Sequence, residues 1–207
     1  LDTCNFEKRV CVFTPRVAGP STPHLESTIV RNVQFSTWKF VPLKAPYSTP
    51  IVSCSIKYDN QNGLLPAVVR MRNVGPFSFE IRLQNPSDTA VSTGRDVHCV
   101  IAEEGAWLLP DGRKIEAYSY LSTTTDHHQS WKGLRRTLTH NYKNGQFAVL
   151  GQVMSHNDQR WSVFWMRGKD RHSEVQQWYS EFYTGKHVGE DRLKSRVNEQ
   201  IGYIVIE

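Results

Sequence analysis

Three short segments of this chain recur, in the same order, in its second half. Residues 51–61 read IVSCSIKYDNQ and residues 149–159 read VLGQVMSHNDQ. The next apolar runs, Val68-Val69-Arg70-Met71-Arg72 and Val163-Phe164-Trp165-Met166-Arg167, both end in Met-Arg. A third pair closes each half: Val97-His98-Cys99-Val100-Ile101-Ala102-Glu103 and Ile201-Gly202-Tyr203-Ile204-Val205-Ile206-Glu207. The offsets are 98 (149 − 51), 95 (163 − 68) and 104 (201 − 97). The first copy therefore carries three extra residues around Asn62-Gly63-Leu64 (98 − 95), and the second nine extra between Arg171 and Ser195 (104 − 95). Length changes between apolar runs are what surface loops accept. Upstream, Ser36-Thr37-Trp38-Lys39 matches Gln129-Ser130-Trp131-Lys132. A doubled unit constrains architecture more than any single motif. It favours a repeated binding or structural module over one catalytic centre.

The local patterns are those of strands. Ser78-Phe79-Glu80-Ile81-Arg82-Leu83, entered from Phe77, alternates apolar and polar as a half-buried strand must. Val52, Cys54, Ile56 and Tyr58 share one face, with Ser53, Ser55 and Lys57 opposite. Pro110-Asp111-Gly112 stands between Trp107-Leu108-Leu109 and the run from Ile115 to Tyr120, a hairpin turn by its residue chemistry. Asn60 to Gly63 and Asn85 to Asp88 signal further turns. Only Arg171 to Tyr179 has enough helix formers for one short helix. The expected fold is all-β: two antiparallel β-sandwich repeats related by internal duplication, with an irregular N-terminal arm. The arm spans 1–26, where Pro15, Gly19, Pro20 and Pro23 fall; the repeats span 27–105 and 106–207.

Length and composition set limits. The chain has 207 residues, enough for a core that buries roughly 70% of its unfolded surface. The net charge of +5 is mild and its basic residues are scattered, so no nucleic-acid partner is expected. No apolar run reaches the roughly 18 residues of a membrane span. The chain begins at Leu1, as a mature secreted protein or a trimmed chain would. Four cysteines allow three pairings. Two bridges, with Cys4 and Cys11 closing a short N-terminal loop and Cys54 joined to Cys99 across copy one, are favoured over four free thiols. They imply an oxidising, extracellular setting. By the alignment above, Gln152 and Tyr203 stand where copy one has Cys54 and Cys99. The Cys-x6-Cys spacing is no zinc pattern, so neither a metal nor any other cofactor is expected.

One family shares this framework. The segments Ser48-Thr49-Pro50-Ile51-Val52, Arg70-Met71-Arg72-Asn73-Val74 and Ser78-Phe79-Glu80-Ile81-Arg82-Leu83 resemble those of the H-type lectin domain, the snail agglutinin type. The resemblance covers most of copy one and only the strand framework of copy two. It implies a small antiparallel β-sandwich, often trimeric, that binds N-acetylgalactosamine-like sugars. The family's sugar-contacting residues find no matching positions on this chain, and none is carried over. Two fused copies also depart from the family's single domain.

The densest polar–aromatic cluster is His156-Asn157-Asp158-Gln159-Arg160-Trp161. Carboxylate, amide and guanidinium groups hydrogen-bond sugar hydroxyls directionally. An aromatic face covers the apolar side of the sugar ring. Asn157, Asp158, Arg160 and Trp161 are therefore the first candidates for carbohydrate contact, against the plainer reading of a solvated turn before a core tryptophan. The second candidate is Thr125-Asp126-His127-His128-Gln129-Ser130-Trp131, in which Asp126, His127 and Trp131 would contact the sugar, against the plainer reading of an exposed loop without metal. Adjacent histidines on a strand face opposite ways and chelate poorly. Trp107, Trp165 and Trp178 sit in or beside apolar runs as core; Trp38, Trp131 and Trp161 border polar loops as contacts.

No catalytic signature accompanies these. Gly185-Lys186 lacks the rest of a phosphate loop, and Glu190-Asp191 lacks a calcium-loop frame. There is no Gly-x-Ser-x-Gly and no His-Glu-x-x-His. The expected function is a secreted, non-enzymatic carbohydrate-binding protein that engages glycans or glycoproteins, acts as a homo-oligomer, and gains strength through multivalency. The alternative is a structural matrix, capsule or filament subunit that assembles through the same repeats.

Overall fold

The computed structural model describes residues 3–5, 10–12, 24–58, 66–86, 93–126, 132–142, 147–168, 181–189 and 191–207. Among these every regular element is a strand. The helix expected between Arg171 and Tyr179, the turn at Asn60 to Gly63, and His127, Trp131 and Trp178 lie outside the described residues. The N-terminal segment, expected to be irregular, contains a two-stranded hairpin. In it β1 (Thr3–Asn5) pairs antiparallel with β2 (Val10–Val12), and Cys4 stands opposite Cys11 along the backbone.

The first half holds β3 (Leu25–Val33), β4 (Lys39–Pro42), β5 (Pro50–Ile56), β6 (Val68–Gly75), β7 (Ser78–Gln84) and β8 (Arg95–Glu103). They form two three-stranded antiparallel sheets, ordered β3-β8-β5 and β4-β7-β6. The second half holds β9 (Gly105–Leu108), β10 (Lys114–Ser122), β11 (Thr125–Asp126), β12 (Leu134–Thr137), β13 (Ala148–Val153), β14 (Val163–Arg167), β15 (Glu181–His187) and β16 (Glu199–Ile206). One of its sheets is ordered β13-β16-β10-β9. In the other, β15 lies between β12 and β14 and takes β11 as a short parallel neighbour. Apart from β9 and β11, both halves show one strand order. The first, last and third strands make one sheet (β3-β8-β5, β10-β16-β13), and the second, fifth and fourth make the other (β4-β7-β6, β12-β15-β14). The three recurring segments fall on β5 and β13, β6 and β14, and β8 and β16.

Strand pairing refines the alignment by one residue. Cys54 opposes Cys99 in the β5–β8 ladder. With Tyr203 in the place of Cys99, the β13–β16 ladder sets Gly151 opposite it, not Gln152. A one-residue slip turns a strand over, and the inward face of β13 is that of Val149, Gly151 and Val153. The upstream match shifts likewise. Lys39 opposes Ile81 and Leu134 opposes Thr184, so Gly133 rather than Trp131 takes the place of Trp38.

Residue chemistry accounts for the elements. Along β7, Phe79, Ile81 and Leu83 are fully buried while the residues between them are half-exposed. Phe77, read as part of this alternation, is instead 71% exposed at the tip of the β6–β7 hairpin. Gly112, at a positive φ of 86°, closes the β9–β10 hairpin where Pro110-Asp111-Gly112 predicts it. Asn32 and Asn73 adopt left-handed φ values of 51° and 52° where the registers of β3 and β6 shift, the backbone conformation asparagine tolerates best after glycine.

The main core lies between β3-β8-β5 and β4-β7-β6, with Val52, Val97, Ile101, Val69, Met71 and Ile81 at its centre. It continues without a break into the second half through Ile115, Ala117, Met154 and Ile204. The outer face of β5 is therefore covered too: Ile51 is fully buried and Ser53 Oγ donates to the Gly151 carbonyl. That is why Pro50 to Ser53 are buried in succession instead of alternating. A smaller core of Leu138, Tyr142, Phe182, Tyr203 and Val205 fills the second sandwich-like pair of sheets.

Cys54 and Cys99 form the expected disulfide across the β5–β8 ladder. Aromatic rings occupy the corresponding place in the second half. A Cβ on Gly151 would lie 2.4 Å from ring carbons of Phe164, and Tyr203 meets Phe182 edge to face at 5.2 Å.

Candidate functional site

The loop linking β13 to β14 carries His156 to Trp161, the first candidate cluster. It packs onto the outward face of β6 and β7, so the site joins the two halves of the chain. Arg70 on β6 points at the loop and is wholly buried. Its guanidinium donates to the carbonyls of Arg160 and Asp158, the latter at 2.9 Å, and to Gln84 Oε1 at 3.2 Å. Glu199 at the start of β16 is equally buried, 3.6 Å from the Arg70 guanidinium. Its carboxylate also accepts from the backbone N–H groups of Asn157 and Asp158 and from the Ser155 hydroxyl. Burial lowers the Arg70 guanidinium to about 10, and the Glu199 carboxylate opposes that loss.

Most of the polar groups that the sequence singles out are spent inside this network. Asp158 is 9% exposed; Arg160 binds both its oxygens, at 3.0 and 2.8 Å, and Arg196 Nη1 lies at 3.4 Å. Burial alone would raise this carboxyl, but the hydrogen bonds from Arg160 and the charge of Arg196 hold it well below the usual carboxylate range. Arg196, itself buried, runs on to Asp191 Oδ2 at 2.6 Å. Asn157 is exposed, and its amide donates to the Asn198 carbonyl at 2.6 Å. The Trp161 ring is half-buried over Gly189, where a Cβ would come within 3.1 Å of it.

His156 faces the other way and meets Trp38, a residue far from the motif in the other half of the chain. Its ring lies 5.1 Å from that of Trp38. The guanidinium carbons of Arg72 and Arg82 stand 4.3 and 4.9 Å from the Trp38 ring centroid, within cation–π range. An arginine stands at each nitrogen of His156: Arg70 Nη2 is 2.9 Å from Nδ1 and Arg82 Nη2 is 3.2 Å from Nε2. Burial, then the charges of Arg70 and Arg82, lower the imidazole to about 4, so it is neutral at neutral pH. Arg72 is paired with Glu80. Arg82 has no carboxylate partner among the described residues, and its Nε is buried without an acceptor. Phe40, 62% exposed, lies on the same sheet face opposite Glu80.

The second candidate segment is only partly described. Asp126 is fully buried on β11, 3.6 Å from His187 Nε2, and its carbonyl accepts from the Val188 N–H. His127 and Trp131 lie outside the described residues. Lys186, next to Gly185, is buried inside the second half and donates to the carbonyls of Ser122 and Val197 at 2.9 and 2.6 Å. Of the tryptophans read as core, Trp107 packs on the main core, while Trp165 lies across Gly133. Among the described residues no three His, Cys, Asp or Glu side chains converge to hold a metal ion.

Reading the sequence missed the cluster around Trp38. The outward arginines Arg70, Arg72 and Arg82 do alternate with core residues, which marks their face, but only the fold brings the 156–161 loop down upon it. A separate cleft of about 420 Å3 lies where the edges of β5, β6, β13 and β14 converge, lined in part by Tyr58, Val69, Gln152 and Phe164.

The fold and site together define an all-β, sandwich-like protein with an aromatic–arginine surface at the seam of its halves. No protein-family model, curated protein or solved structure matches the chain. No helix among the described residues is long and apolar enough to cross a membrane.

Proposed function

We propose that this chain is a non-catalytic, extracellular carbohydrate-binding protein of H-type lectin-like build, its halves descended from one duplicated six-stranded sandwich. The observation that carries the reading is the meeting of Trp38 with His156. An aromatic residue and a polar loop, each a sugar-contact candidate by its own chemistry, come together on one surface with Arg82 and Arg72 around them. Aromatic faces beside directional donors and acceptors are what saccharide rings require. The common strand order of the halves supports duplication. The Cys54–Cys99 bridge suits an oxidising compartment. Leu25 and Ile29, 44% and 47% exposed on one face of edge strand β3, offer an apolar strip for a homo-oligomer contact. The same strip, with Phe77 at 71%, favours a second reading as a self-assembling structural subunit.

A glycan array on the purified chain, run with and without chelator, separates the two. Retention that Trp38→Ala removes from a still-folded protein supports the lectin reading. Filaments or large homopolymers with no glycan signal support the structural one. Retention unaffected by Trp38→Ala removes this surface from consideration.

A further inference from the structure

Within that carbohydrate-binding reading, on which this inference rests, the geometry points to an acidic saccharide as the ligand: its carboxylate or sulfate sits against Arg82 while its ring lies along Trp38 and Phe40.

The argument is a count of donors and charges. Row by row across the outward face, Trp38, Arg82 and Arg70 are neighbours, followed by Phe40, Glu80 and Arg72. Arg70 is matched by Glu199 and two carbonyls, and Arg72 by Glu80. Among the described residues Arg82 is matched by one imidazole nitrogen, and its buried Nε has no acceptor. A neutral imidazole accepts at only one nitrogen, yet an arginine stands at each nitrogen of His156. Among the described residues the cluster thus holds one more cation than carboxylate and more N–H donors than acceptors. Burial and then Arg72 lower the Arg82 guanidinium, as expected beside a positive charge with too little solvent. An anionic oxygen pair supplies the missing charge and acceptors, and a guanidinium fork takes it in two parallel hydrogen bonds. A neutral sugar supplies acceptors but no charge. The aromatic side chains explain why the anion is carried on a ring and is not a bare ion: Phe40 stands 62% exposed beside the cations with no role in the core.

The test is calorimetric titration of the whole chain with three hexasaccharides, one of uronic acids, one sulfated and uncharged otherwise, and one neutral, at about physiological ionic strength. Single-stranded DNA of matched charge is the fourth titrant. An acidic sugar is expected to bind at least about tenfold more tightly than the neutral one, the worth of one charge-assisted hydrogen-bond pair. The better of the two acidic arms identifies the anion. Arg82→Gln should reduce acidic-sugar affinity to the neutral level, and Arg31→Gln, an exposed arginine elsewhere, should leave it unchanged. Should Arg82→Gln unfold by circular dichroism, Arg82→Lys keeps the charge without the fork and should lose several-fold. Equal affinity for neutral and acidic sugars overturns this inference and leaves the carbohydrate reading standing. Binding of no saccharide overturns both. DNA binding as tight as the acidic sugar marks a generic polyanion surface and overturns the inference.

Discussion

Arg70 and Glu199 form the residue-scale hinge of the molecule, two opposite charges with no exposed surface, one from each half. Breaking a buried pair by removing one member leaves an uncompensated charge and costs about 3–5 kcal/mol. Arg70→Met and Glu199→Gln are each expected to destabilise the chain by that order in urea melts. The double variant should lose clearly less than their sum, since contacting residues are not additive. Strict additivity would mean the two do not act as a pair. His156 titrates at the same scale. Its folded value of about 4 lies below the ordinary 6.5, burial and the facing Arg70 and Arg82 being the causes, with Glu199 pulling the other way. Between those values the unfolded chain binds a proton that the folded chain refuses, so stability falls as pH drops from about 6.5 towards about 4. His156→Gln should flatten that part of the pH–stability curve; a curve parallel to the parent's across the window would refute the assignment.

At the scale of elements, the halves solve one packing problem twice with different chemistry. In the first, Cys54–Cys99 ties two adjacent strands over a sequence separation of 45 residues. In the second, Phe164 over Gly151 and Tyr203 against Phe182 fill the matching space. A loop of that length makes the bridge worth about 2–4 kcal/mol in the chain-entropy account. Reduction, or Cys54→Ala with Cys99→Ala, should lower stability by this order without unfolding the protein at room temperature, as thermal melts would record. The hairpin at Gly112 and the alternation of β7 were legible because turn chemistry and period are local. The burial of Ser53 and Pro50 was not, because it depends on a sheet from the other half.

For the whole molecule, the continuity of the main core is decisive. Ile115, Ala117, Met154 and Ile204 pack with Ile51 and Val52 in one cluster, and Arg70 reaches across the same seam. Independent sandwiches would each present an apolar face and a charge to water. Unfolding is therefore expected as a single transition, with calorimetric and van't Hoff enthalpies in agreement. Residues 24–103 expressed alone should fail to give a cooperative melt. Two separated transitions would mean the halves fold as independent domains.

The amino-acid order alone determined most of the strands after the N-terminal arm, the recurrence of their pattern, the Pro110-Asp111-Gly112 hairpin and the polar loop at 156–161. Each of these is written in residue spacing, which the backbone's own periodicity reads locally. Tertiary structure alone decided that the loop's carboxylate is consumed by Arg160 and Arg196, that Arg70 is buried under it, and that Trp38 lies beside His156. Those outcomes depend on which surfaces the two halves press together, and burial of a charge or exposure of a ring is a property of that contact, not of any segment in it.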